Sequence, residues 1–85
     1  MKNEAVIENA VVRQLQRRGF RTLKLNLQGR RGWPDRLVIL PKGKVLWLEF
    51  KAPGKQPTRL QQHVHAWLRT AGHRVEVVDK KEFWL

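Results

Sequence analysis

The sequence predicts an α/β fold with the element order αβββαβ. Three observations predict it. The hydrophobic period changes from that of a helix to that of a strand and back along the chain. Glycine and proline stand singly at the changeovers, not inside the periodic runs. And 85 residues with 41% apolar side chains suffice for one core and one domain, 1–85, but not for two.

The first helix covers 3–18. Ile7, Val11 and Leu15 recur every fourth residue, Val12 widens the stripe, and Arg17-Arg18-Gly19 is a helix stop. From Phe20 to Leu27 the period becomes two, with Leu23, Leu25 and Leu27 alternating with Thr22, Lys24 and Asn26, a half-buried strand. Gln28 to Pro34, holding Gly29 and Gly32, is a loop. Asp35–Leu40 and Val45–Lys51 are apolar strands joined by Pro41-Lys42-Gly43. Proline there suits a turn position and glycine a left-handed one. After a loop over 52–56, Thr58–Ala71 is a second helix with Leu60, Val64, Trp67, Leu68 and Ala71 on one face and Gly72 as its stop. Arg74–Val78 is the last strand, and 80–85 a short turn or helix.

Charge narrows the function. Eighteen lysines and arginines against seven acids leave a net charge of +11, which calls for a polyanionic partner. No apolar run is long enough to span a membrane, and no basic–apolar prefix of a secretory signal opens the chain. Without cysteine there is no disulfide framework and no thiolate zinc site, which points to the cytoplasm. Between Asn9 and Pro34, and again between Phe50 and Val75, there is no acid at all. Asp35 and Glu49 are therefore isolated anions in a cationic chain.

Their placement follows from the hairpin. If Pro41-Lys42-Gly43 is the loop, Leu40 faces Lys44, and counting outward sets Asp35 opposite Glu49. Alternation puts Asp35, Leu37 and Ile39 on one face with Val45, Trp47, Glu49 and Lys51. Two carboxylates and an ammonium thus converge at one end of an apolar face. Facing anions need compensation: a shared proton, pairing with Lys51 and Arg36, or a divalent cation, for which oxygen ligands favour Mg²⁺ or Mn²⁺. A lysine beside such a pair can orient a water or stabilise developing negative charge.

These residues resemble a known pattern. Gly32-Trp33-Pro34-Asp35, a hairpin, then Glu49-Phe50-Lys51-Ala52-Pro53-Gly54-Lys55 is similar to the VRR-NUC (virus-type replication-repair nuclease) family of the PD-(D/E)XK superfamily. The resemblance spans almost the whole chain and is nearest to small stand-alone members encoded by phages and prophages, working in the bacterial host cell. It implies a restriction-endonuclease-like core, a mixed central sheet flanked by helices. It also implies that Asp35, Glu49 and the main-chain carbonyl of Phe50 hold Mg²⁺ or Mn²⁺, one ion or two, and that Lys51 is the catalytic lysine. The first-helix glutamate of the pattern falls on Glu8, near the metal and acting through water, with Glu4 one turn earlier as competitor. Gln61 matches a glutamine close to the active centre, although Thr58-x-x-Gln61 is equally a capping box. The reaction implied is in-line hydrolysis of a phosphodiester. Relatives of this kind resemble Holliday junction resolvases, which implies a homodimer acting on four-way DNA junctions. A flap or nicking nuclease and a non-catalytic nucleic-acid-binding module are the competing readings.

Arg30, Arg31 and Arg36 flank Asp35 and are assigned to phosphates of branched or double-stranded DNA, with Lys55, Arg59, Arg13 and Arg17 as further contacts. Trp33 is expected to pack under its loop, and Trp47 and Trp67 to lie in the core. Trp84 is expected on a lid or a dimer face. His63, His65 and His73 lack ligand spacing and are expected at the surface.

Overall fold

The computed structural model describes residues 3–84. Helix α1 is Asn3–Arg17; strands β1, Arg21–Lys24, β2, Arg36–Ile39, and β3, Val45–Phe50, follow; helix α2, Arg59–Thr70, leads into strand β4, Arg74–Val78. The strands form one sheet in the order β1-β2-β3-β4. The first three are antiparallel meanders, and β4 runs parallel to β3. A parallel neighbour needs a crossover, and α2 supplies it. The mixed sheet flanked by helices and the αβββαβ order are as expected.

The alternation along β3 explains the layers. Leu46, Leu48 and Phe50 point with Val38 and Val78 to one face, where Ile7, Val11 and Leu15 of α1 close the main core. Trp47 points to the other face, where Val64 and Leu68 of α2 meet Val75 in a smaller core. β3 is thus covered on both sides, which suits its continuous apolar run.

The hairpin register is the one counted from the sequence: Ile39 pairs with Val45, Leu37 with Trp47 and Arg36 with Leu48. Leu40 donates to the carbonyl of Lys44 at 2.9 Å. The turn differs in one respect, that Lys42 joins Gly43 in left-handed backbone, at φ 63° and 74°.

Four expectations need correction. β1 is half its expected length, because α2 covers the β3–β4 half of the sheet and leaves the leucine face of β1 without a partner; Leu23 is 51% exposed. β2 begins at Arg36, not Asp35, for a reason given below. On α2 the buried stripe is Val64, His65 and Leu68, while Leu60 and Trp67 stand out at 48% and 58% exposure and Ala71 is exposed. The helix carries more apolar surface than so small a sheet can cover. Residues 80–84 form no helix; Phe83 packs against the main core, Gln14 of α1 bonds the Lys81 carbonyl, Trp84 is exposed, and Leu85 lies outside the described residues.

Candidate active site

Asp35 terminates the β2 ladder with its side chain. Its N–H donates to the Leu48 carbonyl at 2.9 Å, and its Oδ2 accepts the N–H of Phe50 at 2.8 Å. A carboxylate therefore takes the place that a main-chain carbonyl would hold in a continuing strand. Because Pro34 precedes it, backbone pairing has no N–H to continue with there. The result is that the Asp35 carboxylate is pinned at the end of β3 on the Phe50 N–H, close enough for its charge to act on Glu49.

Glu49 is buried at 1% exposure and held at both oxygens from α2. Gln61 Nε2 donates to Oε2 at 3.1 Å, and His65 Nε2 lies 3.3 Å from Oε1. Burial, and then the negative charge of Asp35, push the Glu49 carboxyl up to about 8, with Lys51 pulling the other way. Lys51 follows directly after β3, half-buried, its N–H on the Val78 carbonyl at 3.0 Å.

Gln61 completes the capping box and also reaches Glu49. Its N–H and Oε1 complete the capping box with Thr58, at 3.1 and 2.9 Å, and its Nε2 reaches the buried carboxylate. The helix start is thereby fixed to the centre of the site.

The first helix divides the roles of its two acids. Glu8 sits in an ion pair with Arg36 at 2.7 Å and with Lys24 at 2.8 Å. Burial alone would raise its carboxyl, but those two cations outweigh burial and hold it below the usual carboxylate range. The negative charge of Glu4 adds a last and smallest upward push on the Glu49 carboxyl. Glu8 Oε2 is taken by both Arg36 and Lys24, and Arg36 is itself tied to Thr22 Oγ1 at 3.2 Å. Arg36 accordingly clamps α1 to the sheet, and its ion pair is with Glu8, not with Asp35 or Glu49. Arg30, Arg31, Lys55, Arg59, Arg13 and Arg17 are exposed.

His65 is the residue the sequence reading missed. It is 2% exposed instead of solvated, and burial, then the charges of Arg69 and Lys51, hold its imidazole below its ordinary value. The signal was present: Gln61 and His65 are one helical turn apart, on the stripe carrying Val64 and Leu68. The apolar weight of Trp67 drew the stripe to the wrong side. Trp67 instead meets Trp33 at 6.1 Å between ring centres, and Trp33 in turn meets Trp47 at 5.7 Å, so Trp33 packs under its loop as expected. His73 is also half-buried, accepting from Trp47 Nε1 at 2.9 Å, whereas His63 is exposed.

Comparison with known proteins shows the family. No family model matches the chain. It is 44% identical over 79 residues to "Putative nuclease p44" of Acyrthosiphon pisum secondary endosymbiont phage 1, covering 93% of this chain and 85% of the relative. Its fold superposes on a solved VRR_NUC domain with a TM-score of 0.85 and 31% identity, over 93% of this chain and 86% of the other. The chain belongs to the VRR-NUC family.

Within that VRR-NUC fold, the donor set suits a small hard cation. Two carboxylates and a main-chain carbonyl leave room for waters and a substrate oxygen, which is how Mg²⁺ is commonly held. Among the described residues no group of three or more histidine, aspartate or glutamate side chains converges as a metal cage. Nor is any described helix long and apolar enough to cross a membrane.

Proposed function

We propose that the protein is a divalent-metal-dependent endonuclease that hydrolyses phosphodiester bonds in DNA, selecting branched structures such as four-way junctions. The observation that carries this is the meeting of Asp35 with the buried Glu49, on the sheet face shared with Lys51. A pure nucleic-acid binder would gain nothing from two facing acids in a chain of net charge +11.

Asp35, Glu49 and the Phe50 carbonyl would hold Mg²⁺ or Mn²⁺, with Glu4 as the outer acid in place of Glu8. Bound there, the ion would polarise the phosphate and lower the pKa of the attacking water. Lys51 orients that water or stabilises the charge gained by the phosphate. Gln61 keeps the Glu49 carboxylate in place. The exposed Arg30, Arg31, Lys55 and Arg59 bind flanking phosphates, with Arg13 and Arg17 on α1.

A homodimer supports junction resolution, since two symmetric cuts need two sites. The face of β1 and β2 that α2 leaves bare, with Leu23 at 51% and Ile39 at 43% exposure, is the surface assigned to the second copy. The phage relative supports action inside a bacterial host cell.

Labelled four-way, flap and linear duplexes incubated with Mg²⁺ or Mn²⁺, and with EDTA, test the reading beside Lys51→Ala. Metal-dependent cutting of the junction by the wild type alone is the expected result. If no substrate is cut with either metal, the enzyme reading fails; if only the flap is cut, junction resolution fails and the nuclease stands. Light scattering at micromolar concentration should give twice the mass of one chain, and Leu23→Glu should halve it.

A further inference from the structure

We propose that His65 is a positioning residue for Glu49, fixing from behind the carboxylate that holds the cation. The inference rests on the reading of Asp35 and Glu49 as the ion-holding pair.

Glu49 and His65 are the polar side chains in the buried set of the described residues, at 1% and 2% exposure, and they touch each other at 3.3 Å. Burying two such groups in a domain this small is costly, and an apolar pair of similar volume would serve stability at least as well. Their retention needs a use that an apolar pair cannot supply. The geometry provides one. Gln61 holds Oε2 and His65 holds Oε1, and both stand on the same face of α2, one turn apart. One anchor alone would fix the position of the carboxylate but leave its plane free to turn. Two anchors from one rigid helix fix the plane as well.

Each carboxylate oxygen has two acceptor positions, so each retains one for a cation after accepting from α2. An imidazole that donates from Nε2 orients the carboxylate without occupying its cation-facing positions. When Glu49 is ionised, the ring must carry its proton on Nε2 to donate to Oε1. Hydrogen bonds to the ligands of a metal commonly change its affinity about 10- to 100-fold when removed.

The test compares wild type with His65→Leu, which fills the volume without a donor, and His65→Gln, whose amide reaches the Nε2 position. Calorimetric titration with Mn²⁺ in the absence of DNA is the main readout, with junction cleavage at varied Mn²⁺ as the second. His65→Leu should melt cooperatively yet bind Mn²⁺ about 10- to 100-fold more weakly, its kcat recovering at high Mn²⁺, while His65→Gln restores most of the affinity. Mn²⁺ affinity of His65→Leu equal to wild type would overturn the inference and leave the nuclease reading intact. A wild type that binds no Mn²⁺ overturns both. Should neither variant fold, long-range proton–nitrogen NMR of the wild type with Mg²⁺ decides. His65 protonated on Nε2 is the expected tautomer, and protonation on Nδ1 alone overturns the role.

Discussion

Replacing Glu49 by glutamine should remove most of the pH dependence of stability from the metal-free protein at the alkaline side. The carboxyl is pushed from 4.5 up to about 8 by burial and by Asp35. The folded state therefore holds this proton more tightly than the unfolded chain does. Stability from that preference is fully present below 4.5 and is lost as pH rises through about 8. At about 1.4 kcal/mol per pH unit, the interval amounts to a ceiling on the order of 4–5 kcal/mol. Glutamine keeps the shape and still offers groups to Gln61 and His65, but it has no proton to lose. Urea unfolding in EDTA, at several pH values from about 5 to about 9, measures the difference between the two proteins. The wild type should lose several kcal/mol relative to Glu49→Gln across that range. His65 acts at the other end: its imidazole is held low, so its contribution is present above 6.5 and lost as pH falls. Mn²⁺ added at high pH should return stability to the wild type and not to the variant. Curves that stay parallel within about 0.5 kcal/mol would refute the claim that burial and Asp35 act on Glu49 as a like-charged pair.

Three more outcomes follow from the geometry. Glu8→Ala should cost about 1–3 kcal/mol by urea unfolding, because it strands the Arg36 guanidinium, whereas Glu4→Ala should leave stability nearly unchanged and weaken Mn²⁺ binding about tenfold. Equal effects of the two on Mn²⁺ would return Glu8 to the site. Gly32→Ala should destabilise by about 1–3 kcal/mol, since φ there is +84° and an added Cβ would stand 2.7 Å from the Leu60 side chain and 3.2 Å from its backbone. A Gly32→Ala protein that melts at the wild-type temperature would contradict the loop geometry leading to Asp35. Leu48→Ala, in the fully buried centre of β3, should cost about 2–5 kcal/mol in the same assay, and a loss under 1 kcal/mol would contradict the packing of α1 on that face.

Much of the site was readable because a hairpin is a local object. Pro41-Lys42-Gly43 sets the register, and register sets which side chains share a face, so Asp35, Glu49 and Lys51 could be brought together by counting. Gln61 was readable for a similar reason, since its capping box places it at the first turn of α2. Helix faces were harder. A stripe of apolar residues on α2 could be drawn through Trp67 or through His65, and only the width of the sheet beneath decides between them. The same limit applied to Glu4 and Glu8, which are one turn apart on one helix. Which of them meets Arg36 depends on where α1 crosses the sheet.

By itself, the sequence determined the element order, the hairpin register, the cationic character and the convergence of two acids with a lysine. All of these depend on neighbours close along the chain or on composition. Only the tertiary structure decided that Glu49 is sealed beneath α2, that His65 stands behind it, and that Glu8 with Arg36 is a clamp between helix and sheet. The reason is physical. A strand pair is specified by turn geometry and period, but the docking of a helix on a sheet is settled by packing over the whole contact. On a four-stranded sheet that contact is small enough for a buried histidine to displace a tryptophan from the inside.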